Sequence, residues 1–274
     1  MIILFGLLTV VAVPVAVLAV LVAQIREVDR TVPLAVQPPP RVEGLFGPRS
    51  PGPPLRMAVL GDSFAAGYGV AKPRETVGVL LAGAVARHLR RRVLLHRVAV
   101  VGAMSSDLAH QVDAALRHEP EVAVVYIGGN DVTRFAPLDR SARELGAAVA
   151  RLRAAGCRVF VGTCPNLRIL PPLRPPLRWL AAWRSARLAA AQTAAVLAAG
   201  GHPISLSELL NPHFEADPAR MFGPDRFHPS AAGYAKAAAV SLPTLLAALR
   251  AEGVVPRYQP EWAPRSDGTA AARP

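Results

Sequence analysis

The chain has 274 residues, 52% of them apolar and only 18% charged, which excludes a disordered polymer and allows a sizeable buried core. Its 27 prolines and 21 glycines follow no collagen-like period. The formal net charge is +12, but aromatic residues are 5%, so the stacking platforms of a nucleic-acid binder are scarce and no nucleic-acid partner is expected.

Residues 1–25 hold no charged side chain, a length that at ~1.5 Å per residue can cross a bilayer. No Lys or Arg precedes this run, and it exceeds the ~7–15 residues of a signal-peptide core. An uncleaved transmembrane helix containing Pro14 is therefore expected, making the protein a single-pass membrane protein. Cleavage of the segment would instead give a secreted form. Arg26, Arg30, Arg41, Arg49 and Arg56 follow the run, and the positive-inside rule reads them as favouring a cytoplasmic domain. One segment so sparsely flanked does not fix the side. Residues 26–55 carry Pro38-Pro39-Pro40 and Pro51-Gly52-Pro53-Pro54 without an apolar period and read as an extended linker. One domain is expected over 56–250, and a loose polar tail over 251–274.

Within that domain, apolar runs alternate with helical patterns. Strands are expected at Arg56–Leu60, Val93–Val100, Val122–Ile127, Arg158–Gly162 and Pro203–Leu206. Helices are expected at Glu75–Leu89, Ser105–Arg117 (capped by Ser105 or Ser106), Ser141–Ala154, Arg178–Ala199 and Ser230–Leu249. Continuous apolar strands alternating with helices predict an α/β fold, a parallel sheet covered on both faces. Ligands in such sheets bind beyond the strand carboxyl ends.

Four polar clusters fall near those ends or before the last helix: Gly61-Asp62-Ser63-Phe64, Gly102, Gly128-Gly129-Asn130-Asp131 and Asp225-Arg226-Phe227-His228. Each alone is ordinary turn chemistry. Together they supply the parts of nucleophilic catalysis. Ser63 is a weak nucleophile until a base such as His228 takes its proton. Asp225, three residues before His228, can hold the other ring N–H. The backbone N–H groups of Ser63 and Gly102 and the Asn130 amide can receive an oxyanion. Asp62 and Asp131 read as turn or helix-cap residues.

Ser63, Gly102, Asn130 and His228 match in order the four signature positions of the SGNH hydrolases, or GDSL-type esterases and lipases, and Asp225 matches the Asp of their D-x-x-H block. The chain resembles that family over residues 56–250. Phe64 stands where the family has Leu, and Gly102 is followed by Ala103-Met104-Ser105, so its assignment rests on its place after a strand. The resemblance implies a three-layer α/β/α, flavodoxin-like domain with a parallel sheet of about five strands. It further implies ester hydrolysis through an acyl-enzyme, without metal or organic cofactor, on a small-molecule, lipid or carbohydrate ester.

Other readings fit less well. No G-x-S-x-G is present, against an α/β-hydrolase. Gly61, Gly67 and Gly69 have neither dinucleotide nor P-loop spacing. An acyltransferase using the same acyl-enzyme and a membrane-tethered binding module without turnover remain as alternatives. The other six histidines lack metal-ligand spacing. Cys157 and Cys164 bracket one strand, about 23 Å apart if extended, so no bridge between them is expected. The Pro-, Leu- and Arg-rich segment Asn166–Trp183 reads either as an ordinary connection or as a wall over an acyl or lipid substrate. The many arginines suit anionic lipid headgroups beside an anchor.

Overall fold

A computed structural model describes residues 2–31, 38–50 and 52–251. Six strands form its sheet: β1 Gly44–Phe46, β2 Leu55–Gly61, β3 Val93–Arg97, β4 Val122–Tyr126, β5 Arg158–Gly162 and β6 His202–Ile204. Their order is β1-β3-β2-β4-β5-β6. From β3 to β6 all neighbours are parallel, for example Val59 opposite Val124 and Val124 opposite Phe160. Every residue of β4 is buried, as a strand covered on both faces requires.

Alternate side chains feed two cores. Met57, Val59, Val122, Val124 and Phe160 point to one face, against helices Val77–Leu89 and Ala231–Ala251. Ala58, Leu60, Ala123, Val125 and Val159 point to the other, against Leu108–Leu116 and Leu138–Ala154. Helix Leu177–Ala198 contributes to both, Leu188 to the first and Val196 to the second. Buried Tyr126 crosses toward the last helix and donates its hydroxyl to Ser241 Oγ at 2.9 Å. Gly162 makes room for the Tyr126 ring, since a Cβ there would collide with it.

The sheet departs from the expected five parallel strands: it is mixed and has six. The extra strand comes from residues read as linker. Gly44–Phe46 runs antiparallel along β3, pairing Gly44 with Leu95 and Phe46 with Val93. Val42, just before it, is 3% exposed. The expected strand Val93–Val100 ends at Arg97, yet Val98 and Val100 still donate to Val59 and Gly61 carbonyls at 2.9 and 3.0 Å. Three short helices, Leu206–Leu209, Asn211–Ala216 and Pro218–Met221, fill the stretch between β6 and the last helix. Residues 1, 32–37, 51 and 252–274, including most of the expected tail, lie outside the described residues.

The segment expected to cross a membrane is a helix, Ile2–Thr31, with Pro14 inside. Among the described residues, however, the helix long and apolar enough for a crossing is Ala231–Ala251, and half of it is buried. Tyr234, Leu245 and Leu249 are fully inside, the pattern of a core helix.

The sheet order also places the site. The chain leaves β2 for β3 on one side, then crosses to β4 on the other. The gap between the carboxyl ends of β2 and β4 is the switch point at which such sheets bind ligands.

Candidate active site

Strand β2 ends in a forced turn. Gly61 has φ +129°, and a Cβ there would collide with the Tyr126 carbonyl oxygen, so only glycine fits. Gln111 clamps this residue: its Oε1 accepts from Gly61 N–H at 2.7 Å, and its Nε2 donates to the Gly61 carbonyl at 2.9 Å. Asp62 then caps a single helical turn, Ser63–Ala66, its Oδ1 accepting from Phe64 N–H at 2.9 Å. Ser63 is the first residue of that turn, with its backbone N–H at the helix start. Burial pushes the Asp62 carboxyl up to about 7, against the Phe64 hydrogen bond and with help from the Asp131 charge.

A loop supplies the opposite side. His228 Nε2 lies 2.9 Å from Ser63 Oγ, and its Nδ1 lies 2.7 Å from Asp225 Oδ2. Asp225 Oδ1 accepts the backbone N–H groups of Phe227 and His228 at 3.0 and 2.9 Å. Burial alone would raise the Asp225 carboxyl; the His228 ring and the two backbone donors outweigh it and hold the group below the usual carboxylate range. The imidazole sits between aromatic rings, with Tyr68 at 4.5 Å and Phe227 at 5.1 Å between centroids. Gly223 N–H donates to the His228 carbonyl at 2.8 Å, closing the loop on itself.

Asn130 lies in the short helix Gly129–Thr133 after β4 and lines the same cleft as Ser63 and His228. Its amide donates one hydrogen to the Ala103 carbonyl at 2.9 Å, and a primary amide has a second. Gly102 is not itself on the cleft wall. It has φ +82° in a turn closed by Ala103 N–H to the Val100 carbonyl at 3.1 Å, tied to Asn130 through Ala103. Asp131, 1% exposed, accepts from Ser105 N–H at 3.2 Å. The expected helix Ser105–Arg117 is a 3₁₀ turn, Ser105–Asp107, leading into helix Leu108–Leu116, and its first N–H is held by this distant carboxylate rather than by a Ser105 or Ser106 hydroxyl.

Beyond the polar residues the cleft is apolar, a cavity of about 100 Å³ reaching Leu167, Leu170, Leu206, Leu210 and Phe214. The segment after β5 therefore walls it. Among the described residues no group of three His, Cys, Asp or Glu side chains is placed to hold a metal ion. Cys157 and Cys164 are free and buried; burial pushes the Cys157 thiol up to about 12 and raises Cys164 as well.

Sequence reasoning missed three contributors: Gln111, Tyr68 and Gln192. Gln192 accepts from Cys164 N–H at 2.7 Å and donates to the Ile127 carbonyl at 3.1 Å, clamping the ends of β4 and β5 as Gln111 clamps β2. A polar residue on the inner face of an apolar helix was the available signal for both glutamines. Tyr68 carries no signal in one sequence.

A hydroxyl, an imidazole and a carboxylate in one hydrogen-bonded line, with amide donors opposite, can abstract a proton from the hydroxyl and receive a developing oxyanion. Comparison with known proteins agrees with such chemistry. Residues 59–236 match the model of the GDSL-like lipase/acylhydrolase family. The chain is 41% identical over 266 residues to the GDSL-like esterase Rv1075c of Mycobacterium tuberculosis, covering 93% of this chain and 83% of that protein. Among solved structures it resembles the lipase Lip_vut3 from a goat rumen metagenome (TM-score 0.58, 17% identity, 74% of this chain and 99% of that one). It also resembles the psychrotrophic esterase EstA of Pseudoalteromonas sp. (TM-score 0.53, 19% identity, 72% and 98%). At these identities the two structures speak for the fold.

Proposed function

The chain belongs to the GDSL-like lipase/acylhydrolase family, and we propose from its cleft that it hydrolyses carboxylic esters through an acyl-enzyme on Ser63. The observation that carries this reading is the unbroken line from Ser63 Oγ through the His228 ring to Asp225, at 2.9 and 2.7 Å.

In the acylation step His228 Nε2 takes the Ser63 proton as Oγ attacks the ester carbonyl. Asp225, already accepting from Nδ1, stabilises the imidazolium and keeps the ring from turning. The carbonyl oxygen becomes an oxyanion, held by the Ser63 backbone N–H and the second Asn130 amide hydrogen, with the Gly102 turn positioning Asn130 through Ala103. Collapse expels the alcohol, which takes the proton from His228. Water then attacks the acyl-enzyme by the same route in reverse and releases the acid. The apolar lobe under Leu167 and Leu170 takes the acyl chain, and the alcohol side faces outward. No step requires a metal or organic cofactor. The N-terminal helix serves as a membrane anchor: Val15, Val17 and Leu18 are all exposed, and the chain turns polar only from Gln24.

Labelling with a serine-reactive fluorophosphonate, followed by peptide mapping, tests the reading. The label is expected on the peptide holding Ser63 and lost in Ser63→Ala, together with an aryl-esterase rate reduced on the order of 10⁶-fold. A label elsewhere, or full activity in Ser63→Ala, overturns it.

A further inference from the structure

The cleft and the N-terminal helix share two walls. Leu167 and Leu170 line the cleft; the next residues, Pro171 and Pro172, line a groove of about 540 Å³ on the other side. In the same way Phe227 and His228 face the cleft, while Pro224, Asp225 and Arg226 face the groove. The groove's third wall is the helix itself, through Val20, Ala23 and Gln24.

This helix is fastened there. Gln24 Nε2 donates to the Pro175 carbonyl at 2.7 Å, and its Oε1 accepts from Leu177 N–H at 3.1 Å. Ile25 beside it and Val28 one turn on pack against the core and line a small cavity with Val132, Leu173, Leu177 and Ala181. The apolar helix thus meets the domain at the rim of the catalytic cleft, with its exposed valines and leucine pointing on from that place.

Around the same place lies a ridge of unusual exposure. Trp179 is 66% exposed and Trp183, one turn later, 54%. Phe135 is 45% exposed, with the Arg184 guanidinium 5.1 Å over its ring, and Arg187 sits 5.2 Å over Trp183. Arg174 is exposed beside the groove. Single exposed apolar side chains are ordinary; three large aromatics interleaved with arginines beside an apolar helix are not. Trp with an apolar body and a polar edge, next to Arg, is the composition of a membrane–water boundary, and arginines are drawn to anionic headgroups.

We propose that this ridge, Phe135, Trp179 and Trp183 with Arg174 and Arg187, is seated on the surface of a bilayer containing anionic lipid, beside the point where the N-terminal helix enters. The groove and the cleft then open at headgroup level, and the substrate is an amphipathic ester drawn from the membrane. The inference rests on the anchor and ester-hydrolase readings above.

The full chain with Trp262→Phe keeps Trp179 and Trp183 as its two tryptophans. It is placed in lipid discs of phosphatidylcholine, with or without phosphatidylglycerol, carrying acyl chains brominated near the headgroup. Tryptophan emission is expected to be quenched, and more strongly with phosphatidylglycerol. Arg174→Gln and Arg187→Gln each shift the balance from seated to released by about fivefold. Neither change alters the rate on a dissolved aryl ester. Protein retained in the discs and labelled by fluorophosphonate, but unquenched in both lipids, overturns the seating and spares the catalytic reading. Protein not retained overturns anchor and seating together. Tryptophan shielding that depends on protein concentration rather than on lipid assigns the ridge to a second copy instead.

Discussion

The two sides of the cleft are held by different means. Ser63 stands on the sheet: its position follows from the Gly61 turn, the Gln111 clamp on that glycine, and the one-turn helix capped by Asp62. His228 stands on a loop whose shape depends on one carboxylate, with Asp225 Oδ1 taking two backbone N–H groups and Oδ2 the imidazole. The serine side is fixed mainly by backbone geometry and buried amides, the histidine side by one side chain with two tasks. Damage on the first side should therefore register in stability, and on the second in rate.

Asp225→Asn tests that division most severely. An asparagine oxygen can still accept the Phe227 and His228 N–H groups, so the loop and the melting temperature should persist. Its amide cannot accept from Nδ1–H, and kcat should fall by about 10⁴-fold. A large loss of stability in this variant would break the division. Asn130→Ala comes next, with kcat lower by about 10²–10³-fold as an oxyanion donor is lost. An effect confined to KM would move Asn130 to ground-state binding.

The serine side should respond to pH through Asp62. Its carboxyl is raised from 3.8 to about 7 in the folded protein, so the fold binds its proton more tightly than the unfolded chain does. Stability from this group is complete below about pH 4 and is lost as pH rises toward about 7. Asp62→Asn should remove a decline of a few kcal/mol across that window, read by urea unfolding. Asp225 is shifted the other way, so its contribution is lost only as pH falls through the acidic range. An unchanged pH slope in Asp62→Asn would show the carboxyl to be solvated. Smallest is Gln111→Leu, which orphans the Gly61 N–H while Val100 N–H still serves the carbonyl. It should cost roughly 1–3 kcal/mol in unfolding free energy and leave the pH profile of kcat/KM in place.

The parallel strands were legible as largely apolar runs with turn residues at their ends, and that alternation also told where a site would lie; the last, expected at Pro203–Leu206, is His202–Ile204, with Leu206 opening the next helix. Ser63 and Asn130 were legible as polar residues at those ends, and Asp225 and His228 as a pair before the last helix; Ser63, Asn130 and His228 line one cleft, with Asp225 behind the imidazole. What the sequence concealed depends on distant partners. Gly44–Phe46 is three residues between proline-rich stretches, and only β3 makes it a strand. Gln111 and Gln192 look like stray polar residues on apolar helices until the strand ends they clamp are in place. Gly102 reads as a donor from its position after a strand, but it meets the cleft through Ala103 and Asn130 rather than on its wall. The last helix, read from the sequence as part of the domain, is a core helix: Tyr234, Ser241 and Leu245 are fully buried.

Strand β1 has a practical consequence. Its pairing hides the outer row of N–H and C=O groups along β3, which is otherwise the free margin of the sheet. A shorter protein made by trimming away everything before Leu55 would bare that row, flanked by apolar Val93 and Leu95. Such a preparation should form strand-to-strand aggregates, whereas one beginning ahead of Val42 keeps its own cover and should stay dispersed.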